Sequence, residues 1–162
     1  MHWSDDMSGK IYEIYLAERD KAPTSLVCVE VEAGKGIVGD RYHKSEGTFS
    51  HKLANNPKSQ ITFIASEEVD RFNQETGEKL GYGEPRRNLV TRGIDLESLI
   101  GRQFSIGSAR FRGIERCEPC THLAATVNEK VLPHLIHTGL RAEVLQSGVL
   151  TVGDELQMTT DK

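Results

Sequence analysis

Cysteine is scarce in this sequence: Cys28, Cys117 and Cys120 are the only three among 162 residues. An odd, small number fits poorly with a disulfide framework. A chain of this length also buries enough apolar surface to fold without a covalent staple or structural metal. Basic charge is not in excess either. Twenty Lys and Arg against 24 Asp and Glu leave a net charge of −4, which argues against a general nucleic-acid binder but leaves room for a local basic pocket. No run approaches the ~18 apolar residues of a transmembrane helix. The opening stretch, Met1 to Met7, has no basic n-region and no apolar h-region. A secretory signal is therefore not expected, and the expected location is the cytoplasm, where thiols stay reduced. Internal repeats and low-complexity segments are absent too.

What remains is an ordinary globular composition with 37% hydrophobic and 27% charged residues. It predicts one domain over 10–158, a flexible N-terminus at 1–9 and a short tail at 159–162. Strand signals dominate. Residues 11–16 and 26–31 are β-branched and partly alternating, and residues 60–64 and 88–91 read as short buried-type strands. Residues 103–112 read as two strands joined by a Gly107-Ser108 turn. The last stretch gives short strands at 140–145, 149–152 and 155–158, punctuated at Gly148 and Gly153. Such spacing is that of a sandwich or barrel.

Helices are few. Ser66 reads as an N-cap with Glu67 and Glu68 in the favourable first turn, and the helix runs to about Glu75 before Gly77. A single turn is expected over 96–100. The stretch 121–137 is helical or irregular, with Pro133 interrupting any continuous helix. Two long polar loops, 34–58 and 76–87, are of a length that more often serves function than mere connection.

Three stretches carry candidate chemistry. The first is Gly34-Lys35-Gly36-Ile37-Val38-Gly39 followed by Asp40, Arg41, Tyr42 and His43. Its glycine spacing imitates a dinucleotide fingerprint, but no apolar helix follows to hold a pyrophosphate. An acid, a fixed cation and an imidazole within four residues suit an anion-binding or catalytic loop, against the plainer alternative of a solvated glycine turn. The second is Arg86-Arg87-Asn88, leading into a strand. Arginines there are commonly solvated; the functional alternative is a guanidinium fork on a phosphate, with Asn88 offering an amide to a heterocycle edge. Arg92 and Arg141 add cations of unassigned direction.

The third is Cys117-Glu118-Pro119-Cys120. Structural zinc wants a second ligand pair, which the sequence lacks near His122, His134 or His137. A thioredoxin-like pair would follow the first strand of a βαβ unit rather than sit late in a β-rich chain. Two buried, unreactive thiols are a common outcome. The reading with most physical support is a reactive thiolate at Cys120, next to Thr121-His122, where an imidazole or helix N-terminus would lower its pKa. Such a ligand suits a soft or thiophilic centre: sulfur, copper(I) or molybdenum.

Taken in order, these segments resemble one family. The set comprises Gly39-Asp40-Arg41-Tyr42-His43, Arg86-Arg87-Asn88-Leu89-Val90, Leu99-Ile100-Gly101, Cys117-Glu118-Pro119-Cys120, Gly139-Leu140-Arg141-Ala142-Glu143-Val144 and Gly148 to Asp154. It is similar to a MOSC domain, the module named for the C-terminal part of molybdenum cofactor sulfurases, over roughly Lys10 to Met158. The resemblance implies a mainly β, barrel-like fold with a few short helices, around a cleft for the pterin-based molybdenum cofactor. It implies that Cys120 is the hallmark cysteine, ligating molybdenum in cofactor-binding members and proposed to carry sulfur in the sulfurase context. Asp40, Arg41, His43, Arg86, Arg87 and Asn88 fall at the family's other motif positions. The chemistry of their side chains suggests phosphate contacts for the arginines, Arg141 included, and a pterin contact for Asn88.

The chain has no cysteine-desulfurase region with a pyridoxal phosphate lysine, so bound pyridoxal phosphate is not expected. It also has no module to feed electrons. The expected activity is therefore partner-dependent: oxo-transfer reduction of small N-hydroxylated substrates with a separate electron-donor protein. The alternative is a sulfur-carrier or cofactor-delivery module served by a cysteine desulfurase. Neither a nucleic acid nor a membrane is an expected partner.

Overall fold

The computed structural model describes residues 9–16, 24–38, 60–77, 79, 81–82, 87–116 and 139–158. Eleven strands dominate them: β1 (Lys10–Leu16), β2 (Thr24–Leu26), β3 (Cys28–Glu32), β4 (Gly36–Ile37), β5 (Ile61–Ala65), β6 (Leu89–Arg92), β7 (Gln103–Ile106), β8 (Ala109–Arg116), β9 (Gly139–Gln146), β10 (Gly148–Thr151) and β11 (Leu156–Met158). Among the described residues one α-helix, α1 (Ser66–Thr76), and one 3₁₀ turn, Leu96–Leu99, accompany them. The mainly β architecture expected of the sequence is the one observed.

Eight strands form one curled sheet in the order β11-β7-β8-β9-β5-β6-β1-β2. Its β11 end comes round to the start of β1: Ile11 N donates to Asp154 O at 2.9 Å, Gly153 N to Ile11 O at 2.8 Å and Leu156 N to Gly9 O at 2.8 Å. A bridge between Lys10 and Glu155 lies in the same seam. Curling hides polar edges that an open sheet would expose. The concave side holds the main core, where Phe63, Phe104 and Phe111 form a triad with ring centroids 5.6–6.0 Å apart.

A second sheet, in the order β10-β3-β4, contributes Val29, Val31, Ile37 and Leu150 to that core. Residues 26–31, expected as one strand, divide at Val27. β2 pairs with β1, while β3 pairs with β10 and β4. The break is the point where the chain changes sheets, and Val27 O accepts the Val152 N–H at 2.8 Å. Part of the expected loop 34–58 is in fact the hairpin arm β4. The turn before it carries Gly34 at φ 79°, and Gly36 has φ 104°. A Cβ on Gly36 would lie 2.0 Å from Gln60 O, so only glycine fits.

β5 is buried along its whole length because it is covered on both faces. Ile61, Phe63 and Ala65 join the main core, while Ile64 meets Val69 and Phe72 of α1, together with Val90. The helix starts one residue earlier than expected, at the residue read as its cap. Ala65 occupies the N-cap position, and Ser66 is the first helical residue, buried, with its hydroxyl donating to Glu67 Oε1 and accepting from Arg92 Nε at 3.2 Å. Glu67 Oε2 accepts the Gly93 N–H at 2.7 Å, tying the acidic first turn to the loop after β6. The helix ends on Gly77 in the left-handed region, as its position after Thr76 requires. The stretch 121–137, read as helical or irregular, lies outside the described residues.

Candidate functional site

A row of polar residues crosses five adjacent strands of the large sheet on its convex face. It begins at Tyr15 on β1, whose N–H donates to Asn88 O at 2.7 Å. Asn88 returns a bond from Nδ2 to Tyr15 O at 3.3 Å. On the other side Asn88 meets Thr62 of β5 through three bonds. Thr62 N and Thr62 Oγ1 each donate to Asn88 Oδ1 at 3.1 Å, and Asn88 N donates to Thr62 Oγ1 at 3.0 Å. Thr62 is in turn the Cα partner of Arg141 on β9, and Arg141 that of Glu115 on β8. Directly opposed residues of antiparallel strands project from the same face. The row is therefore Tyr15, Asn88, Thr62, Arg141, Glu115.

Local irregularities set this register. β8 carries an extra residue between Gly113 and Glu115. Without that bulge Ile114, not Glu115, would oppose Arg141, which is how a bulge re-aims a side chain. Asn88 and Thr62 are both buried, and among the described residues no buried side-chain nitrogen or oxygen lacks a partner. Their mutual satisfaction is what makes two polar groups tolerable beside Ile61, Phe63 and Leu89.

Beyond Glu115, β8 ends at Arg116, which pairs with Glu97 of the 3₁₀ turn. That ion pair anchors the point from which the chain departs toward Cys117. On the same convex face, next to α1, lies an aromatic cluster. The Arg92 guanidinium sits 3.8 Å over the Tyr12 ring centroid, Tyr12 meets Tyr82 edge to face at 5.5 Å, and the Tyr82 hydroxyl donates to Asp70 Oδ1 at 2.6 Å. Its bond to Asp70, with burial second, raises the Tyr82 phenol to about 12. Burial, then the hydrogen bond to Glu13, raises Tyr15 further still.

Of the candidate cofactor-binding residues singled out in the sequence, Arg87, Asn88 and Arg141 are described, and Asn88 and Arg141 stand in this row. Asn88 and Arg141 both flank Thr62, and half-buried Arg87 directly precedes Asn88. The Asn88 amide, expected at a heterocycle edge, is engaged with Thr62 and Tyr15. Asp40, Arg41, His43, Arg86 and Cys120, with Cys117, lie outside the described residues. Cys28 is exposed on the three-stranded sheet, where Thr151 Oγ1 donates to its Sγ at 3.8 Å. Thr62 and Glu115 escaped the sequence reading. The available signal was a lone threonine in the apolar run Ile61 to Ala65. Among the described residues no group of three His, Cys, Asp or Glu is placed to hold a metal ion, and no helix is long and apolar enough to cross a membrane.

Comparison with known proteins places this geometry in context. The family model for the MOSC domain matches residues 50–157. Comparison with curated proteins finds no match. Among solved structures, the chain is similar to the YuaD protein from Bacillus subtilis, with a TM-score of 0.77 and 20% identity over 93% of this chain and 94% of that one. It is also similar to YiiM from Geobacillus stearothermophilus, with a TM-score of 0.72 and 16% identity over 93% and 75% of the two chains. YiiM from Escherichia coli gives a TM-score of 0.67 and 15% identity over 95% and 69%. At these identities the structural likeness speaks for the fold alone.

Proposed function

The chain belongs to the MOSC domain family, and from that membership we propose that it binds the molybdenum cofactor and serves partner-dependent reduction of small N-hydroxylated compounds. In this reading Cys120 ligates the metal, and Arg41, Arg86, Arg87 and Arg141 face the cofactor phosphate. Asp40 and His43 are proposed as further cofactor-binding residues. Asn88 contributes by fixing the start of β6, because its amide is bonded to Thr62 and Tyr15. When bound, the cofactor would supply two-electron oxygen-atom transfer at its metal, with electrons from a separate donor protein.

The donor set fits such a group. Guanidinium forks match phosphate oxygens bidentately, and a thiolate is a soft ligand suited to molybdenum. The observation that carries the reading is the in-register row that sets Arg141 and Asn88, the residue after Arg87, on either side of Thr62, beside β8, whose last residue precedes Cys117 in the chain. Both arginines are half-buried, where a charge-assisted contact is stronger than in open water.

Expression in a host that makes molybdopterin, followed by metal analysis, tests this. Wild-type protein is expected to retain molybdenum and Cys120→Ala to lose it. Equal retention by both would remove Cys120 as the ligand. The rival role for the same thiol is sulfur carriage: a Cys120 persulfide, seen as the added mass of one sulfur after incubation with a cysteine desulfurase and cysteine, without molybdenum binding, would favour it.

A further inference from the structure

We propose that Gln60 is a positioning residue: its side chain clasps the base of the 39–59 segment to β9 and so sets where the Asp40, Arg41 and His43 motif starts. The role rests on the reading that this motif contributes to the cofactor site. β5 begins at Ile61 and pairs with β9 only between Gly139 and Ala142. β9 runs on to Gln146, so the ladder with β5 has ended before Val144 is reached. Two groups from outside β5 take the place of the missing strand. Gln60 Oε1 accepts the Val144 N–H at 2.7 Å, and Val144 O accepts the Gly34 N–H at 3.1 Å.

These two bonds bring together both ends of one long segment. Gly34 lies in the turn between β3 and β4, and β4 leads to Val38, whose N–H donates to Glu30 O at 2.9 Å. Asp40 and Arg41 are the first polar residues after Val38, and Gln60 is the residue to which the chain returns after 39–59. The two ends also touch directly, since a Cβ on Gly36 would lie 2.0 Å from Gln60 O. Gln60 is itself buried, at 6% exposure. Leucine or methionine would serve burial equally well. An amide there is explained by the acceptor it gives to a backbone N–H that would otherwise be buried without a partner. Joining the ends also meets the closure entropy of the segment at its base, which leaves less ordering to be done when a ligand binds.

The test uses the full-length protein from a host that makes molybdopterin. Its readouts are molybdenum per chain, tryptic cleavage within 39–59, and thermal denaturation. Gln60→Met keeps length and burial but offers Val144 only a weak thioether acceptor. Below its melting transition it is expected to be cut within 39–59 about tenfold faster than wild type and to retain about a tenth of the wild-type molybdenum. Gln60→Glu keeps an Oε acceptor and is expected to restore both. A merely structural role would lower the melting temperature and leave both readouts at wild-type values in the folded protein. Should Gln60→Met fail to fold, Gln60→Asn, whose amide falls one methylene short, carries the same expectation.

Faster cleavage with wild-type molybdenum would reveal a clasp that positions nothing; it overturns the role and leaves the cofactor reading standing. Wild-type cleavage in Gln60→Met or Gln60→Asn overturns the clasp itself. Equal losses in Gln60→Met and Gln60→Glu overturn it as well, because the acceptor is then not what matters. Wild-type protein that retains no molybdenum removes the cofactor reading, and the positioning role with it.

Discussion

Tyr82 is held in its neutral form by a neighbour that would repel its anion. Its hydroxyl donates to Asp70 Oδ1, and ionisation would place two negative oxygens in contact, so its pKa rises from 10.0 to about 12. Because the folded value lies above the unfolded one, the stabilisation is fully present below pH 10. It is lost as pH rises through 12. The expected result in a tyrosinate absorbance titration is a component near pH 12 that Tyr82→Phe removes and Asp70→Asn moves back toward 10. A Tyr82 that titrates at its ordinary value in the wild type would contradict the bond to Asp70. At this same scale the sequence was least legible. Asn88 was readable as a polar group before a strand, but its partners Thr62 and Tyr15 are 26 and 73 positions away in the chain. No local pattern announces a bond of that span.

The helix α1 is held to the sheet by two different kinds of contact. Val69 and Phe72 are fully buried against Ile64 and Val90, which supplies most of the docking energy. Phe72→Ala is expected to cost about 3–5 kcal/mol in chemical denaturation, as other large-to-small changes at fully buried aromatics do. Arg92 adds a polar clamp, with Nε on Ser66 Oγ, Nη2 3.8 Å from Asp70 and its guanidinium carbon 3.8 Å from the Tyr12 ring centroid. Arg92→Lys keeps the charge but loses the guanidinium contact with the ring and the Nε bond; at this partly exposed site the expected cost is about 1 kcal/mol. A larger loss from Arg92→Lys than from Phe72→Ala would reverse this ranking. The helix itself was legible from Glu67 and Glu68 at its start and Gly77 at its end. Its cap was not, because Ser66 was recruited by Arg92 from a strand 26 residues on.

Across the whole molecule, the packing of the 3₁₀ turn on the curled sheet depends on backbones that approach too closely for side chains. Gly113 on β8 lies against the 3₁₀ turn, where a Cβ would come within 2.1 Å of Leu99 O. Gly113 N also donates to Arg102 O and Gly101 N to Gly113 O, so the contact has backbone bonds on both sides and little room to shift. Gly113→Ala is therefore expected to lower the melting temperature by about 5 °C or more, the consequence of overpacking by a few kcal/mol in a domain of this size. An unchanged melting temperature would show that the turn can yield. The seam between β1 and residues 153–156 is equally a property of the whole, since it joins positions near the two ends of the chain.

The sequence by itself determined the periodicities: short strands between glycine turns, one acidic-started helix, and an ordered set of motifs that identifies the family. These are local or order-dependent signals, and they survive without knowledge of what lies opposite. Tertiary structure alone decided which strands join which sheet, as at Val27, where the chain leaves β2 for another layer. It alone decided that Glu115 opposes Arg141, through one extra residue in β8. It alone brought Thr62 between Asn88 and Arg141. The physical reason is common to all three. Strand pairing links residues of arbitrary separation through backbone bonds that are nearly indifferent to residue type, so register is settled by the packing of the whole sheet rather than by any stretch of it.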